Sequence, residues 1–599
     1  MSGDAQRRAK ALVARGLELD ELGRHDEELK VYAKVVARFG GDPSPKVIKQ
    51  VLRALLCMAI THDEAGRPEA ALAACDALLD RADRAGSPKL ERRAGWILAR
   101  ALTCRAGVLW GLGRPEEGLA ACQAAVARCG AHPGGATRRA VAAALAWKAW
   151  ALRELRRTDE ELAAYDELLE RCATDPDAAI RRRVAHAQVA KGSTLRELGR
   201  LDAAISVLDA VVQHFGGDRD DDVRAHVRLA LDHEGCALYD LERFDAAVRV
   251  YAELEDRARE DGAEEMLASA LVNAACALVA VGRLDDAIAT YQRLVGELGE
   301  TTEPAARRQL AEALRWTSVL RGRQDREAEA LAAYRELDRR FGTADDPAIR
   351  AEVAAALSSA ADRLRQLDRR DGALAMLDDL LERFGDSTDA VLQEHVASAL
   401  GRKLMLLKVA DRDDEAIVVA DALASRSEAA PADSAAVIRS LMIKGAALFA
   451  QERFVEAVEV FDDVMARAAT TTDPRVRGEV GLALGNRSAA LAHLGRSDEA
   501  IAAGEEMVAR FGVDTLLVLD AHVAELARAV DPALDAQLAA ALLRRAQILG
   551  ALDRHREARA ALDELFARFA EHDAGDDALA PLVAAAHELR AQLGDDDDD

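Results

Sequence analysis

Residues 22–40 read LGRHDEELKVYAKVVARFG, and residues 494–512 read LGRSDEAIAAGEEMVARFG. The two phrases share their opening Leu-Gly-Arg, an acid two residues after the Arg, and the closing Val-Ala-Arg-Phe-Gly. Such agreement between distant parts of one chain predicts an internal repeat. Leu-Gly-Arg or a relative of it recurs, with its central residue at Gly23, Gly66, Gly113, Arg156, Gly199, Glu242, Gly282, Gly322, Asp368, Asp411, Glu452, Gly495 and Asp553. Half of the steps are 43 residues, and all but the last lie between 40 and 47. The reading is thirteen copies of one unit, with an insertion at Arg323–Ala328 lengthening the eighth turn.

Each unit parses as helix, tight turn, helix, loop. In the second helix, Leu29, Tyr32, Val36 and Phe39 of the first copy share a spacing of 3, 4 and 3 with Ile288, Tyr291, Val295 and Leu298, and with Ile501, Gly504, Val508 and Phe511. That spacing puts four residues on one helical face. The turn residue is Gly in seven copies, which suits a left-handed helix end. An Arg follows it in every copy, read as stabilising helix-end carbonyls, and in eleven of the thirteen an acid two residues further on is placed to cap the next helix. Phrases such as ADDPAIR and TTDPRVR supply Asp and Pro for the start of the following unit. Two short helices cannot bury enough apolar surface to offset the entropy of ordering them, so each pair must stack on its neighbours.

Composition fits this picture. Of 599 residues half are hydrophobic and only 4% aromatic, with Pro totalling 13. The formal net charge of −25 repels phosphate backbones, so no nucleic-acid partner is expected. The N-terminal stretch has no long apolar run after its basic residues, and no run of eighteen apolar residues occurs, so neither a signal peptide nor a membrane span is expected. Eight scattered cysteines suit a reducing, cytoplasmic setting and are read as free thiols. Cys57 with Cys104, and Cys236 with Cys276, occupy matching slots in neighbouring units, where equivalent helices lie roughly 9 Å or more apart, beyond disulfide reach.

Seven residues before the turn stands a small side chain in eleven copies, among them Gly16, Ala59, Gly192, Gly235, Gly445 and Ser488. Five residues after it stands Ala in ten, including Ala71, Ala204, Ala247, Ala287 and Ala457, and nine after it an aromatic such as Tyr32, Tyr165, Tyr251, Tyr291, Tyr334 or Phe461. This pattern resembles the tetratricopeptide repeat, in a long variety. The resemblance implies an all-α, right-handed superhelical solenoid of antiparallel helix pairs. Repeats 1 to 12 would fill residues 5–512 after a disordered segment 1–4, and residues 513–532 would form an extra helix or partial repeat. Repeat 13 would fill 533–570, a capping helix 577–593, and an acidic tail 594–599.

The resemblance also implies a groove lined by the first helices. Its positions fall on Trp110, Arg153, Arg196 and Tyr239; on Trp150, Ser193, Cys236, Cys276 and Trp316; and on Trp147, His233, Asn273 and Asn486. Large aromatics and polar donors of this kind anchor peptides; the alternative for Trp147 and Trp150 is that they fill the seam between helices. Asn273 and Asn486 resemble an asparagine that holds peptide backbone in superhelical relatives. The family's clamp for a C-terminal carboxylate uses Lys ten before the turn, where this chain has Val13, Leu56, Thr103 and other residues, never Lys. No Gly-x-Ser-x-Gly or His-Glu-x-x-His occurs, and VAKGST at 189–194 lacks the glycine loop of a phosphate cradle. His186, His226, Asp232 and His233 are the nearest approach to a zinc set, and are read as ordinary polar packing.

The expectation is a non-enzymatic adaptor or scaffold, with no cofactor and no metal, that takes a peptide or helical segment of a partner protein in its groove. The rival is a peptide- or ligand-sensing regulatory subunit whose curvature controls a separate effector. Self-association through the solenoid ends is a further option.

Overall fold

The computed structural model describes residues 2–131, 134–426, 435–468, 473–528, 535–569 and 579–593, and among them no strand occurs. The chain forms two compact units, 1–313 and 314–599. The first contains α1 (Ser2–Glu21), α2 (His25–Phe39), α3 (Pro45–Glu64), α4 (Pro68–Ala85), α5 (Pro88–Gly111), α6 (Pro115–Cys129) and α7 (Gly135–Glu154). It continues with α8 (Thr158–Cys172), α9 (Ala178–Glu197), α10 (Leu201–Phe215), α11 (Asp221–Asp240), α12 (Phe244–Glu260), α13 (Glu264–Ala280) and α14 (Leu284–Leu298). The division falls within α15 (Pro304–Arg323). The second unit holds α16 (Glu327–Phe341), α17 (Pro347–Gln366), α18 (Arg370–Phe384), α19 (Ala390–Val409), α20 (Asp413–Arg426), α21 (Ala435–Ala450) and α22 (Phe454–Arg467). After these come α23 (Pro474–His493), α24 (Ser497–Glu506), α25 (Gly512–Arg528), α26 (Asp535–Ala551), α27 (His555–Phe569) and α28 (Ala580–Gln592).

Each unit is a run of stacked antiparallel helix pairs, an all-α solenoid. From α3 to α11 every odd-numbered helix packs on its own partner, on the second helix of the preceding pair, and on the next odd-numbered helix. One hydrophobic core therefore runs from Ala9 to Ala277 without a break. The small–aromatic pattern explains how the pairs close. Gly16 and Gly235 lie directly against the rings of Tyr32 and Tyr251, both fully buried, where any Cβ would overlap ring carbons.

The turns adopt the expected left-handed conformation, with Gly23 at φ 67° and the non-glycine turn residues Arg156, Glu242, Asp368, Asp411, Glu452 and Asp553 between 51° and 59°. Arg24 N donates to Leu19 O and Gly23 N to Asp20 O, closing the helix end. Asp177, Asp220, Asp346, Asp389 and Asp473 cap the starts of later first helices by accepting backbone N–H bonds.

Several expectations need correction. In the eighth unit the left-handed residue is Asp325, not Gly322, which lies inside α15. There is thus no insertion: the steps from Gly282 to Asp325 and on to Asp368 are both 43 residues. Residues 2–4 are helical, part of α1. The acids two past the Arg do not cap, since the N-cap of second helices such as α2, α10, α16 and α24 is the Arg itself, at Arg24, Arg200, Arg326 and Arg496, and makes no side-chain cap bond. The Arg instead pairs with the acid three residues after it, as in Arg24–Glu27, Arg157–Glu160, Arg412–Glu415 and Arg554–Glu557. Ile501 is exposed, because the buried face of α24 runs through Ala500 and Ala503.

The extra helix is a continuation. α24 passes through a π-helical turn, Met507–Phe511, into α25, and both halves pack on α23. Gly478 and Gly481 of α23 leave room for Asp514 and Thr515, and the buried Thr515 hydroxyl donates to Phe511 O within the π turn. The final helix is α28, which packs on α26 and α27. The acidic tail, 594–599, lies outside the described residues.

Candidate functional site

A 43-residue period places equivalent residues of successive first helices side by side, and this brings most of the predicted residues of the first unit into one row. At one end of the row Trp150 joins two other indoles. Its ring centroid lies 4.7 Å from that of Trp110 on α5 and 4.9 Å, edge-on, from that of Trp147 one turn earlier on α7. The two rings differ in their surroundings. Trp147 rests on Ala106, Ala121 and Cys122 as seam filling, whereas Trp150 is 39% exposed.

The row continues through charge. Arg153 donates to Glu197 at 2.8 Å, Ser193 reaches the same carboxylate at 3.4 Å, and Arg196 meets Asp240 at 3.3 Å. Tyr239, 38% exposed, follows, its ring 5.1 Å from that of Phe244. Behind it Cys236 accepts from the buried Tyr251 hydroxyl at 3.6 Å, and Cys276 meets Tyr291 likewise at 3.7 Å. Asn273 is engaged within the row, donating to Asp232 at 3.2 Å and to Ser269 at 3.4 Å. Burial raises the Asp232 carboxyl above its ordinary range, with His233 and the Asn273 bond opposing, and burial lowers His233. A shallow cleft bounded by Leu162, Lys191, Leu195 and Val207 contains none of the predicted residues.

Two predicted residues belong to the second unit. Trp316 carries Arg315 over its ring at 4.5 Å, and with the turn at Asp325 it matches Trp147 rather than Trp150. Asn486 accepts from Arg544 at 2.7 Å, so its carbonyl is already held. The His186 and His226 rings meet edge-on at 5.3 Å, both lowered by burial. They form no metal set with Asp232 and His233 among the described residues. All eight cysteines are free.

The structure adds residues that sequence reading passed over. At five seams an Asp ten after one turn pairs with Lys or Arg eight before the next: Asp76–Arg105, Asp166–Lys191, Asp378–Lys403, Asp421–Lys444 and Asp462–Arg487. At the corresponding offsets between repeats 5 and 6 stand Asp209 and Glu234. Two second helices carry a buried Glu in the slot that Ala usually fills: Glu28 accepts from Thr61 at 3.0 Å and Glu161 from Thr194 at 2.8 Å. Counting offsets from the turns would have found both patterns.

Residues 234–300, the stretch from the middle of α11 to just past α14, match the family model described as tetratricopeptide repeat. Residues 234–300 carry tetratricopeptide repeats. Among solved structures, the chain is similar to BtubC from P. vanneervenii at 19% identity over 37% of this chain and 89% of that one, with a TM-score of 0.28. It is similar to a tetratricopeptide repeat protein from Parabacteroides merdae at 16% identity over 51% and 98%, TM-score 0.27. It is similar also to the apo form of the quorum sensor NprR from B. thuringiensis at 13% identity over 61% and 97%, TM-score 0.31. No curated protein matches the sequence. Among the described residues, no helix is long and apolar enough to cross a membrane.

Proposed function

We propose that the chain is a non-enzymatic protein-interaction adaptor, and that the first helices of repeats 3 to 6 take a short segment of a partner protein. The observation that carries this reading is the contact of Trp110, Trp147 and Trp150, with Trp150 and Tyr239 each more than a third exposed at the two ends of a row of paired charges. An exposed indole held by two others is rigid, so it offers apolar contact area at little entropic cost. The pairs Arg153–Glu197 and Arg196–Asp240 between the aromatic ends present donors and acceptors for a polar backbone. The partner segment is therefore one with apolar anchors separated by polar residues.

Selection of a random peptide display library on the immobilised chain tests this. Enriched peptides should bind the wild type and lose at least tenfold in affinity against Trp150→Ala and Tyr239→Ala. Peptides that bind all three proteins equally would place the interaction surface elsewhere.

A further inference from the structure

The buried Glu28 of repeat 1 and Glu161 of repeat 4 are a natural comparison, because each replaces the Ala of the repeat and each accepts from a Thr of the next first helix. They differ in what stands three residues before the turn. Repeat 4 has Arg153 there, a cation close enough to Glu161 to favour its charged form. Repeat 1 has Asp20, a second carboxylate, and adds His25 at the start of α2. The protein supplies a positive charge to the one buried carboxylate and a further pair of metal-binding donors to the other.

From this juxtaposition we propose that Asp20, His25 and Glu28 form a binding site for a divalent transition-metal ion of the zinc class. One ligand atom from each lies within 4.8 Å of the other two. His25 Nδ1 is 3.4 Å from Glu28 Oε2 and 3.9 Å from Asp20 Oδ1. Ligands at roughly 2.0–2.1 Å from a tetrahedral zinc stand roughly 3.4 Å apart, so the histidine and glutamate are already at that spacing, and the exposed Asp20 must close about half an ångström toward His25 while staying within the 4.8 Å that bounds its distance from Glu28. Glu28 is 1% exposed, and its other oxygen is fixed by the Thr61 hydroxyl, which orients the carboxylate as an outer-sphere partner does in metal sites. A mixed set of one imidazole and two carboxylates suits zinc better than calcium, which takes six to eight oxygens. Three protein ligands leave a fourth position to solvent. An ion held here ties the end of α1 to the start of α2 and, through Thr61, to α3.

Isothermal titration of the tag-free, chelator-treated full chain with Zn²⁺ alone decides the matter. The wild type should show one binding event that His25→Ala and Asp20→Asn remove, and that Thr61→Val weakens ten- to a hundredfold. His25 and Asp20 are both exposed, so neither variant threatens the fold. Titrations of the wild type and of His25→Ala that superimpose would assign all zinc uptake to other groups, such as the free thiols, and would overturn the proposal. Equal binding of Ca²⁺ at the same three residues would overturn the assigned metal class.

Discussion

Asp209 lies close enough to Glu234 across the seam between repeats 5 and 6 for its charge to act on that carboxyl, at offsets where five other seams pair an Asp with Lys or Arg. Glu253 approaches from α12 on the same side, as Glu167 approaches Lys148 in repeat 4. Asp209 is bonded by Gln213 and Glu253 by Arg257, so the crowded charge is that of Glu234. Burial first, then Asp209 and Glu253, push its carboxyl up to about 7 from an ordinary 4.5. The folded chain thus binds a proton more tightly than the unfolded one, and the stability this gives is present below pH 4.5 and lost as pH rises through about 7. Glu234→Lys should rebuild the rung, add about 1 kcal/mol at pH 8, and flatten the loss of stability between pH 5 and 8. Urea denaturation of both proteins across that range is the check, and parallel pH profiles would remove Glu234 from the explanation.

The Glu161–Thr194 bond makes a sharper energetic statement, because both groups are almost fully buried, at 2% and 3% exposure. Thr194→Val keeps the shape and strands a buried carboxylate oxygen, which should cost about 1–3 kcal/mol. Glu161→Ala alone restores the residue most repeats use and removes the desolvation burden, so the double variant should recover most of the loss. A double-mutant cycle in denaturant measures the coupling. Additive losses would mean that the two side chains do not act as a pair.

The corrected register of repeat 8 is directly testable. Gly322 lies within α15, where a Cβ would meet nothing closer than Arg363 carbons at 3.9 Å. Gly322→Ala should therefore stabilise by roughly 0.5–1 kcal/mol, the helix-interior advantage of Ala. Gly282, at φ 79°, is a true turn residue, and Gly282→Ala should destabilise by about 1–2 kcal/mol. The same sign for both substitutions would return the turn to Gly322.

That error shows where sequence reading reaches its limit. The repeat was legible because its signals are local: a turn residue, an Arg, a small residue and an aromatic within one helix pair. Leu320-Arg321-Gly322-Arg323 imitates the turn phrase, while the real turn, Gln324-Asp325-Arg326, lacks both Leu and Gly. Asp tolerates the left-handed conformation well enough that Gly is a preference there and not a requirement. The period aligns Trp110 with Arg153, so offsets place Trp110 and Trp150 on neighbouring first helices, and the packing brings the two rings into contact. Thr61 with Glu28, and Arg544 with Asn486, are 33 and 58 residues apart, and only the packing between pairs decides that they meet.

The close approach of Gly235 to Tyr251 links the repeat's packing rule to the candidate binding face. A Cβ at 235 would sit 2.5 Å from Cζ and 2.9 Å from Cδ1 of a ring that is 2% exposed and has no space to swing into. Gly235→Ala should force α11 and α12 apart at a cost of about 1–3 kcal/mol. Gly107 offers the contrast, since its nearest ring atom, Trp147 Cη2, is 3.6 Å away, an ordinary contact. Gly107→Ala should gain the helix-propensity term of roughly 0.5–1 kcal/mol and leave the indole cluster in place. The Tyr251 hydroxyl also holds Cys236 Sγ, three residues before Tyr239, so displacement of the ring at Gly235→Ala should carry through to the exposed end of the row. Tryptophan and tyrosine fluorescence alongside denaturation separates the two effects: Gly235→Ala should change stability and tyrosine environment with the tryptophan emission unmoved, and Gly107→Ala should change stability alone. A Gly235→Ala variant as stable as the wild type would show that the helix pair does not depend on this approach.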